Sequence, residues 1–243
     1  MQHEMNLLGQ PVGLLVPNWT PPALPVRAPM QGRYCRVEPL DPARHALELY
    51  RASEADHEGR NWTYLPYGPF ANFDEYQAWL GQSASTSDPM FFAIVDLKTN
   101  KAVGVCSYLR IDPRHGSIEV GHLNFSPFLQ ATPAATEAMY LMMERAFDLG
   151  YRRYEWKCHA LNAPSRRAAA RLGFSFEGIF RQAAVYKGRS RDTAWFSIID
   201  KEWPPLSVVF KRWLAAENFD EKGRQKSSLS EMTSQLREDS KND

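Results

Sequence analysis

The segment from Met90 to Gly150 constrains the fold more than any other part of the chain. Three runs, Met90–Leu97, Ala102–Ile111 and Gly116–Phe125, have the length and the β-branched and aromatic content of strands. Only Lys98–Lys101 and Asp112–His115 separate them. Turns that short join antiparallel neighbours, because a parallel pair needs a crossover of about a dozen residues or more. The period then changes. Thr132 followed by Pro133 is a helix start: a hydroxyl to cap, then a residue whose missing N–H would have been unpaired anyway. Ala135, Ala138, Met139, Met142, Ala146 and Leu149 follow at helical steps and give one apolar face, and Gly150 closes the helix. Ala134, Ala135 and Thr136 are small, so a large anion such as a phosphate can approach the spare N–H groups of this first turn. An ordinary capped helix is the other reading.

Around this unit the remaining elements fall into order. Tyr34–Leu40 reads as a strand ended by Pro39, and Asp41-Pro42 opens a helix through about Ser53. A second helix runs from about Phe73 to Ser83, and between the two helices Arg60–Phe70 crowds Trp62, Tyr64, Tyr67 and Phe70 into one loop. A loop so aromatic packs onto the body, lines a pocket, or does both. After the central helix come a strand at Arg153–His159 and a short helix from Ala163 to Leu172 with Pro164 in its first turn. Strands follow near Phe174–Gln182 and Arg191–Asp200, then a helix at Ser207–Leu214. The class expected is α+β, a mixed and mostly antiparallel sheet with helices on both faces. Residues 1–30 hold six prolines and read as an extended arm, held to the surface by Leu14, Leu15, Val16 and Trp19. Residues 31–216 form the domain, and 217–243 a polar, mobile tail.

Composition narrows the function. A net charge of +1 offers no field for nucleic acid or membrane. The three cysteines, Cys35, Cys106 and Cys158, are far apart, which suits a reducing compartment and gives no metal spacing. The histidines are scattered, so no metal is expected. No apolar run approaches the roughly 18 residues of a membrane span, and Pro11 and Gly13 interrupt Leu7–Val16, so no signal peptide is read and a cytoplasmic protein is expected.

Element order and motifs together resemble the GNAT superfamily of acetyl-CoA-dependent N-acetyltransferases over about Tyr34 to Asp200, most closely its Rim-type branch of ribosomal-protein N-terminal acetyltransferases and their small-molecule relatives. The family's pyrophosphate loop, Gln/Arg-x-x-Gly-x-Gly/Ala, is similar to Gln130-Ala131-Thr132-Pro133-Ala134-Ala135, followed by Thr136-Glu137-Ala138. The branch's Asn-x-x-Ser…Gly-Phe…Glu-Gly pattern is matched by Asn162, Ser165, Gly173-Phe174 and Glu177-Gly178, and Gly188–Trp203 looks like its closing strands. The resemblance implies a GNAT fold, acetyl-CoA as acyl donor and an amine as acceptor. It assigns Gln130, Ala131, Thr132, Ala134, Ala135 and Thr136 to the pyrophosphate, and Asn162 with the strand backbone of Leu123 and Phe125 to the pantetheine arm. Ser165 becomes the acid that protonates the leaving thiolate beside the cofactor. Two positions depart from the pattern. Pro133 stands at the loop glycine and has no N–H to give, and Ala184 stands where the branch's glutamate base falls.

Amide formation needs a neutral amine, and a lysine side chain titrates near 10.4 and an α-amino group near 7.7–8.0, so a base must take a proton. The fourth strand of the resemblance carries Glu119 and His122. Strict alternation turns them to opposite faces unless a bulge intervenes, and Glu119 is preferred as base over His122. A plain pairing role within the sheet for Glu119, and service to the backbone of the first helical turn for Ser165, are the alternatives. Arg166, Arg167 and Arg171 give either a phosphate contact or a solvated helix face. Trp62, Tyr64, Tyr67 and Tyr186 are expected around an acceptor entering by an aromatic, nearly uncharged wall. The expectation is an enzyme moving acetyl to a primary amine of a small molecule, amino acid or peptide N-terminus, as a monomer or a homodimer. Its rival is a non-catalytic acyl-CoA-binding or interaction module on the same fold.

Overall fold

The computed structural model describes residues 3–242, with side chains through residue 238. Its centre is an eight-stranded sheet in the order β3-β4-β5-β6-β7-β8-β10-β9. Here β3 is Met30–Gln31, β4 Cys35–Pro39, β5 Met90–Asp96, β6 Lys101–Asp112, β7 Ser117–Phe125, β8 Arg153–His159, β9 Ser175–Tyr186 and β10 Arg189–Ile199. Every pairing is antiparallel except β7 with β8. These two run parallel because the chain returns between them through α3 (Pro133–Asp148). The last two strands form a hairpin whose turn residues, Lys187 and Gly188, have φ of 50° and 68°. That left-handed pair matches the twist of the flanking strands. It extends both strands beyond the expected ends, to Tyr186 and back from Arg189.

Helices cover the two faces unequally. On one face α1 (Pro42–Glu54), α2 (Phe73–Ser85) and the loop between them bury Leu49, Trp62, Tyr76 and Leu80 against Phe91, Ala93, Val95 and Val105 of β5 and β6. Asp41 and Asn72 cap them by accepting from Ala43 N and Glu75 N. On the other face α3, α4 (Ala163–Arg171) and α5 (Trp203–Leu214) enclose Phe92, Ile94, Tyr108, Ile118, Val120, Tyr154 and Trp156. The central helix is buried on more than the one face its periodicity suggests: Glu137, Tyr140 and Leu141 are buried as well as Ala138 and Met142. The reason is α5, whose Trp203 and Phe210 stack near Tyr140, so α3 lies between sheet and helix.

Both ends of the chain differ from the sequence reading. In the arm, Leu14, Leu15 and Val16 stay exposed, and Glu4–Met5 and Pro11–Val12 form a small exposed hairpin, β1–β2. Trp19 does the docking, with Nε1 donating to Arg114 O at 3.3 Å and the ring against Gly116 and Arg152, while Pro22, Pro25 and Met30 are buried. At the other end, the stretch expected to be a mobile tail forms α6 over Leu229–Asn242. Leu229 is fully buried, Met232 and Leu236 pack on the core, and Thr233 Oγ1 donates to Arg171 O at 3.2 Å. The apolar stripe of Leu229, Met232 and Leu236 is diluted by charge in the sequence, which is why composition alone suggests disorder there. Among the described residues, no helix is long and apolar enough to cross a membrane.

Candidate active site

The site lies where the sheet splits. Strands β7 and β8 pair only from Ser117–Arg153 to Val120–Trp156, and then diverge. The divergence starts at an irregularity in β7: Ser107 faces Gly121 while Val105 faces Asn124, so β7 carries one more residue than β6. His122 takes up the excess with φ of 52°, the left-handed backbone of a bulge. The bulge resets alternation. Ile118, Val120, Leu123 and Phe125 belong to the α3 side, whereas His122 meets Tyr67 and Phe91 on the α1–α2 side. Glu119 and His122 therefore share a face. Between the split strands, the α1–α2 loop and the β9–β10 hairpin opens a cleft of about 550 Å³. Tyr186 Oη donates to Tyr64 O at 3.1 Å and Lys187 Nζ to Trp62 O at 2.7 Å, and these bonds tie hairpin and loop together over it.

Glu119 is 2% exposed and lines the cleft. Arg110 Nη1 donates to its Oε2 at 2.7 Å, and Lys157 Nζ lies 3.0 Å from the same oxygen. Oε1 has no hydrogen-bond partner among the described residues. Burial raises the Glu119 pKa and outweighs the lowering by Lys157 and Arg110. Lys157 also holds Glu155 Oε2 at 2.7 Å and sits 3.8 Å over the Trp195 ring, whose other neighbour is Phe180, stacked at 4.3 Å. Burial, aided by the charge of Arg110, lowers the His122 pKa to about 4, so its imidazole is neutral near pH 7. Its Nδ1 pairs with Tyr67 Oη at 3.0 Å.

The remaining expected residues divide clearly. Tyr64 and Tyr186 line the cleft; Trp62 and Tyr67 do not. Trp62 is core, 5% exposed and edge-on to Phe70, Tyr76 and Trp79, so it supports the loop rather than forming a wall. Asn162 caps α4 by accepting from Ser165 N at 3.1 Å, and Ser165 Oγ accepts from Trp156 Nε1 at 3.0 Å. Both still line the cleft with Leu123. The Gln130 side chain is engaged on the surface: its Nε2 donates to Asn61 Oδ1 and to Phe125 O at 2.9 and 2.8 Å. Thr132 Oγ1 caps α3 at Ala135 N. Among the described residues the N–H groups of Ala131 and Ala134 keep no partner, and Arg171 Nη1 donates to Thr136 Oγ1 at 3.0 Å beside them. Two open donors at a helix N-terminus, with an arginine beside them, form a cradle that suits a phosphate despite Pro133.

Sequence reasoning missed the charged floor. The wall expected to be nearly uncharged includes Arg110, Lys157 and Arg191, the last on β10 opposite Ala184 of β9. Lys157, His159, Arg191, Thr193 and Trp195 alternate along β8 and β10, so period two marked their common face. Nothing in the chain marked that face as open rather than covered by a helix. Among the described residues, no group of three or more His, Cys, Asp or Glu is arranged to hold a metal, and all three cysteines are free and buried.

Comparison with known proteins agrees with this geometry. The family model of the acetyltransferase (GNAT) domain matches residues 36–175. A crystal structure of a GCN5-related N-acetyltransferase from Brucella melitensis is 49% identical, with a TM-score of 0.87 over 89% of this chain and 99% of that one. A probable GNAT-family acetyltransferase from Chromobacterium violaceum is 41% identical, with a TM-score of 0.74 over 80% of this chain and 97% of that one. The uncharacterized N-acetyltransferase p20 of Bacillus licheniformis is 29% identical over 113 residues, which is 46% of this chain and 63% of that protein's length. The split sheet, the donor-rich start of α3 and these matches together place the chain in the GNAT family, the acetyl-CoA-dependent N-acetyltransferases.

Proposed function

We propose that the protein transfers the acetyl group of acetyl-CoA to the primary amine of a small molecule, amino acid or peptide N-terminus by direct attack on the thioester, with Glu119 as general base. The observation that carries this is a buried carboxylate with a raised pKa at the point where β7 and β8 part. Both cations contact Oε2, so Oε1 is left to take a proton. A base whose pKa moves up toward the working pH takes a proton from an ammonium group at lower cost than an ordinary carboxylate. His122 is the weaker base, with a pKa near 4. The amine nitrogen attacks the carbonyl carbon and its proton passes to Glu119; the C–S bond then breaks. The Ser165 hydroxyl, whose oxygen is held by Trp156 Nε1, donates a proton to the departing sulfur. A thiolate of pKa near 8.5 needs little such help at neutral pH, so this step contributes modestly.

Acetyl-CoA lies along β7 beyond the bulge, its pyrophosphate at Ala131, Ala134 and Thr136 and its pantetheine arm near Asn162. The acceptor enters from the opposite face, past Tyr64 and Tyr186. Ala184, standing where the Rim-type glutamate is expected, favours a free small amine or amino acid over a ribosomal protein. The test is calorimetric titration of acetyl-CoA followed by an amine panel read by thiol release. One-site binding and turnover are expected, with Glu119→Gln lowering kcat/KM by about 10²–10⁴ and leaving acetyl-CoA affinity unchanged. Full activity in that variant moves the base to His122, and failure to bind acetyl-CoA removes the reading altogether.

A further inference from the structure

The cleft contains one cation without a counter-charge among the described residues. Arg110 and Lys157 are both neutralised by Glu119, and Lys157 by Glu155 as well. Arg191, on the wall formed by the β9–β10 hairpin, makes no ion pair. Its Nη1 donates to Tyr186 Oη at 2.5 Å, and its guanidinium lies 5.2 Å from the centre of the Tyr186 ring. Its neighbour Asp192 is engaged elsewhere, accepting from Gln182 N at 2.7 Å. The Arg191 Nε is buried and has no hydrogen-bond partner. With Nη1 committed to the phenol, the edge left over is the one made by Nε and Nη2, the two-donor fork that matches the two oxygens of a carboxylate. Across the hairpin stands Ala184, which leaves room beside the guanidinium.

A buried donor left unpaired costs stability, and proteins rarely keep one without a use. We infer that Arg191 is the anion-recognising residue of the acceptor side, and that the acceptor is an amine carrying a carboxylate, an amino acid in the broad sense. This inference rests on the acetyltransferase reading above and narrows it. The rest of the cleft agrees with such a ligand. The stacked Phe180–Trp195 pair and Tyr64 offer apolar surface for a side chain, and the amine end lies toward Glu119 at the split. Trp195 Nε1, also buried and unpartnered, is four residues from Arg191 on β10, about 13 Å by strand rise, and so serves a different part of the ligand.

The test uses matched triplets: ω-amino acids of increasing chain length, whose carboxylate and amine can span the distance from Arg191 to Glu119, their carboxamides, and the amines lacking the carboxyl group. Each is titrated calorimetrically into the full-length protein saturated with CoA, so the readout does not need turnover. The free acids are expected to bind about ten- to a hundredfold tighter than the other two, the range for a hydrogen-bonded charge pair. Arg191→Gln should erase that preference while leaving CoA affinity unchanged, and Arg191→Lys, which keeps the charge without the fork, should retain part of it. Equal binding of all three members, no binding of any acid, or an undiminished preference in a folded Arg191→Gln protein overturns the inference. Acids that bind through Arg191 yet are never acetylated leave it standing and count instead against the transfer reaction.

Discussion

Two glutamates are buried almost equally, Glu119 at 2% and Glu137 at 4% exposure, and their surroundings have opposite uses. Glu137, on α3, receives three backbone donors: Arg33 N at 2.8 Å on Oε1, and Tyr34 N and Cys35 N at 2.6 and 2.8 Å on Oε2, with the Cys35 thiol beside them. Gly32 lies so close that an added Cβ would stand 2.3 Å from the carboxyl group. Fixed dipoles satisfy this charge on both oxygens, and the carboxylate staples the start of β4 to the central helix. Glu119 instead faces two side-chain cations on one oxygen and a cleft on the other, and burial raises its pKa. Burial of a charge therefore marks neither structure nor chemistry by itself. What the partners leave unpaired decides between them.

Substitution separates the two glutamates. Glu119→Gln, nearly isosteric, is expected to remove about 10²–10⁴ of kcat/KM. It should also shift the melting temperature by no more than a few degrees, because Lys157 keeps Glu155. Glu137→Ala should do the reverse. It strands three N–H groups, one buried and two part-buried, each costing about 1 kcal/mol. At roughly 2–4 °C per kcal/mol for a chain of this size, the melting temperature should fall by about 10 °C. The folded fraction should turn over at the wild-type rate. A melted Glu119→Gln protein, or a folded but inactive Glu137→Ala protein, would show that the two sites are not separable in this way. Thermal denaturation and steady-state kinetics on the same two preparations decide it.

The same contrast explains what the sequence disclosed. Elements driven by local rules were legible: the capped starts at Asp41 and Thr132, the turns at Lys98–Lys101 and Asp112–His115, and the strand Arg153–His159 all appear where the chain alone suggests. Long-range partners were not. Glu137 sits two residues after the pyrophosphate motif, yet its ligands are about a hundred positions earlier. The bulge at His122 depends on how β6 and β7 register, which no window of residues reports. Arg191 and Lys157 looked like ordinary strand charges because the helix that would have covered their face is absent from this half of the sheet. Trp62 and Tyr64, two residues apart in an aromatic loop, were equal candidates for the acceptor wall. Only the three-dimensional turn of that loop separates the buried ring from the cleft-lining one.

Acid titration reads a smaller effect at the same site. Burial takes His122 from 6.5 to about 4, so its neutral form is favoured in the folded state. Its contribution to stability is present above pH 6.5 and lost as pH falls toward 4, about 3 kcal/mol in all. Glu119 acts in the opposite sense. Its pKa is raised above 4.5, so its contribution is present at low pH and is lost as pH rises through the folded value. Wild type and His122→Phe should therefore differ in stability most steeply between pH 4 and 6.5, with the histidine-free protein losing less on acidification. Parallel denaturant curves across that range would place the burial of His122 elsewhere.

The smallest expected change concerns the cofactor end. Pro133 occupies the first position of α3, where an N–H has no intrahelical partner and would point outward with that of Ala134. Proline presets the helical backbone there and withholds that donor. Pro133→Ala restores the donor at the cost of a less restricted unfolded chain. Acetyl-CoA should then bind several-fold tighter, about 1 kcal/mol for one added hydrogen bond to a phosphate, while stability falls by less than about 1 kcal/mol. Calorimetry with acetyl-CoA and with CoA lacking its acetyl group should show the same gain for both, because the added donor meets the pyrophosphate and not the thioester. A gain confined to acetyl-CoA would instead mean that the loop reports on the reacting end of the cleft. The separation between the proposed cofactor cradle and the proposed acceptor floor would then fail.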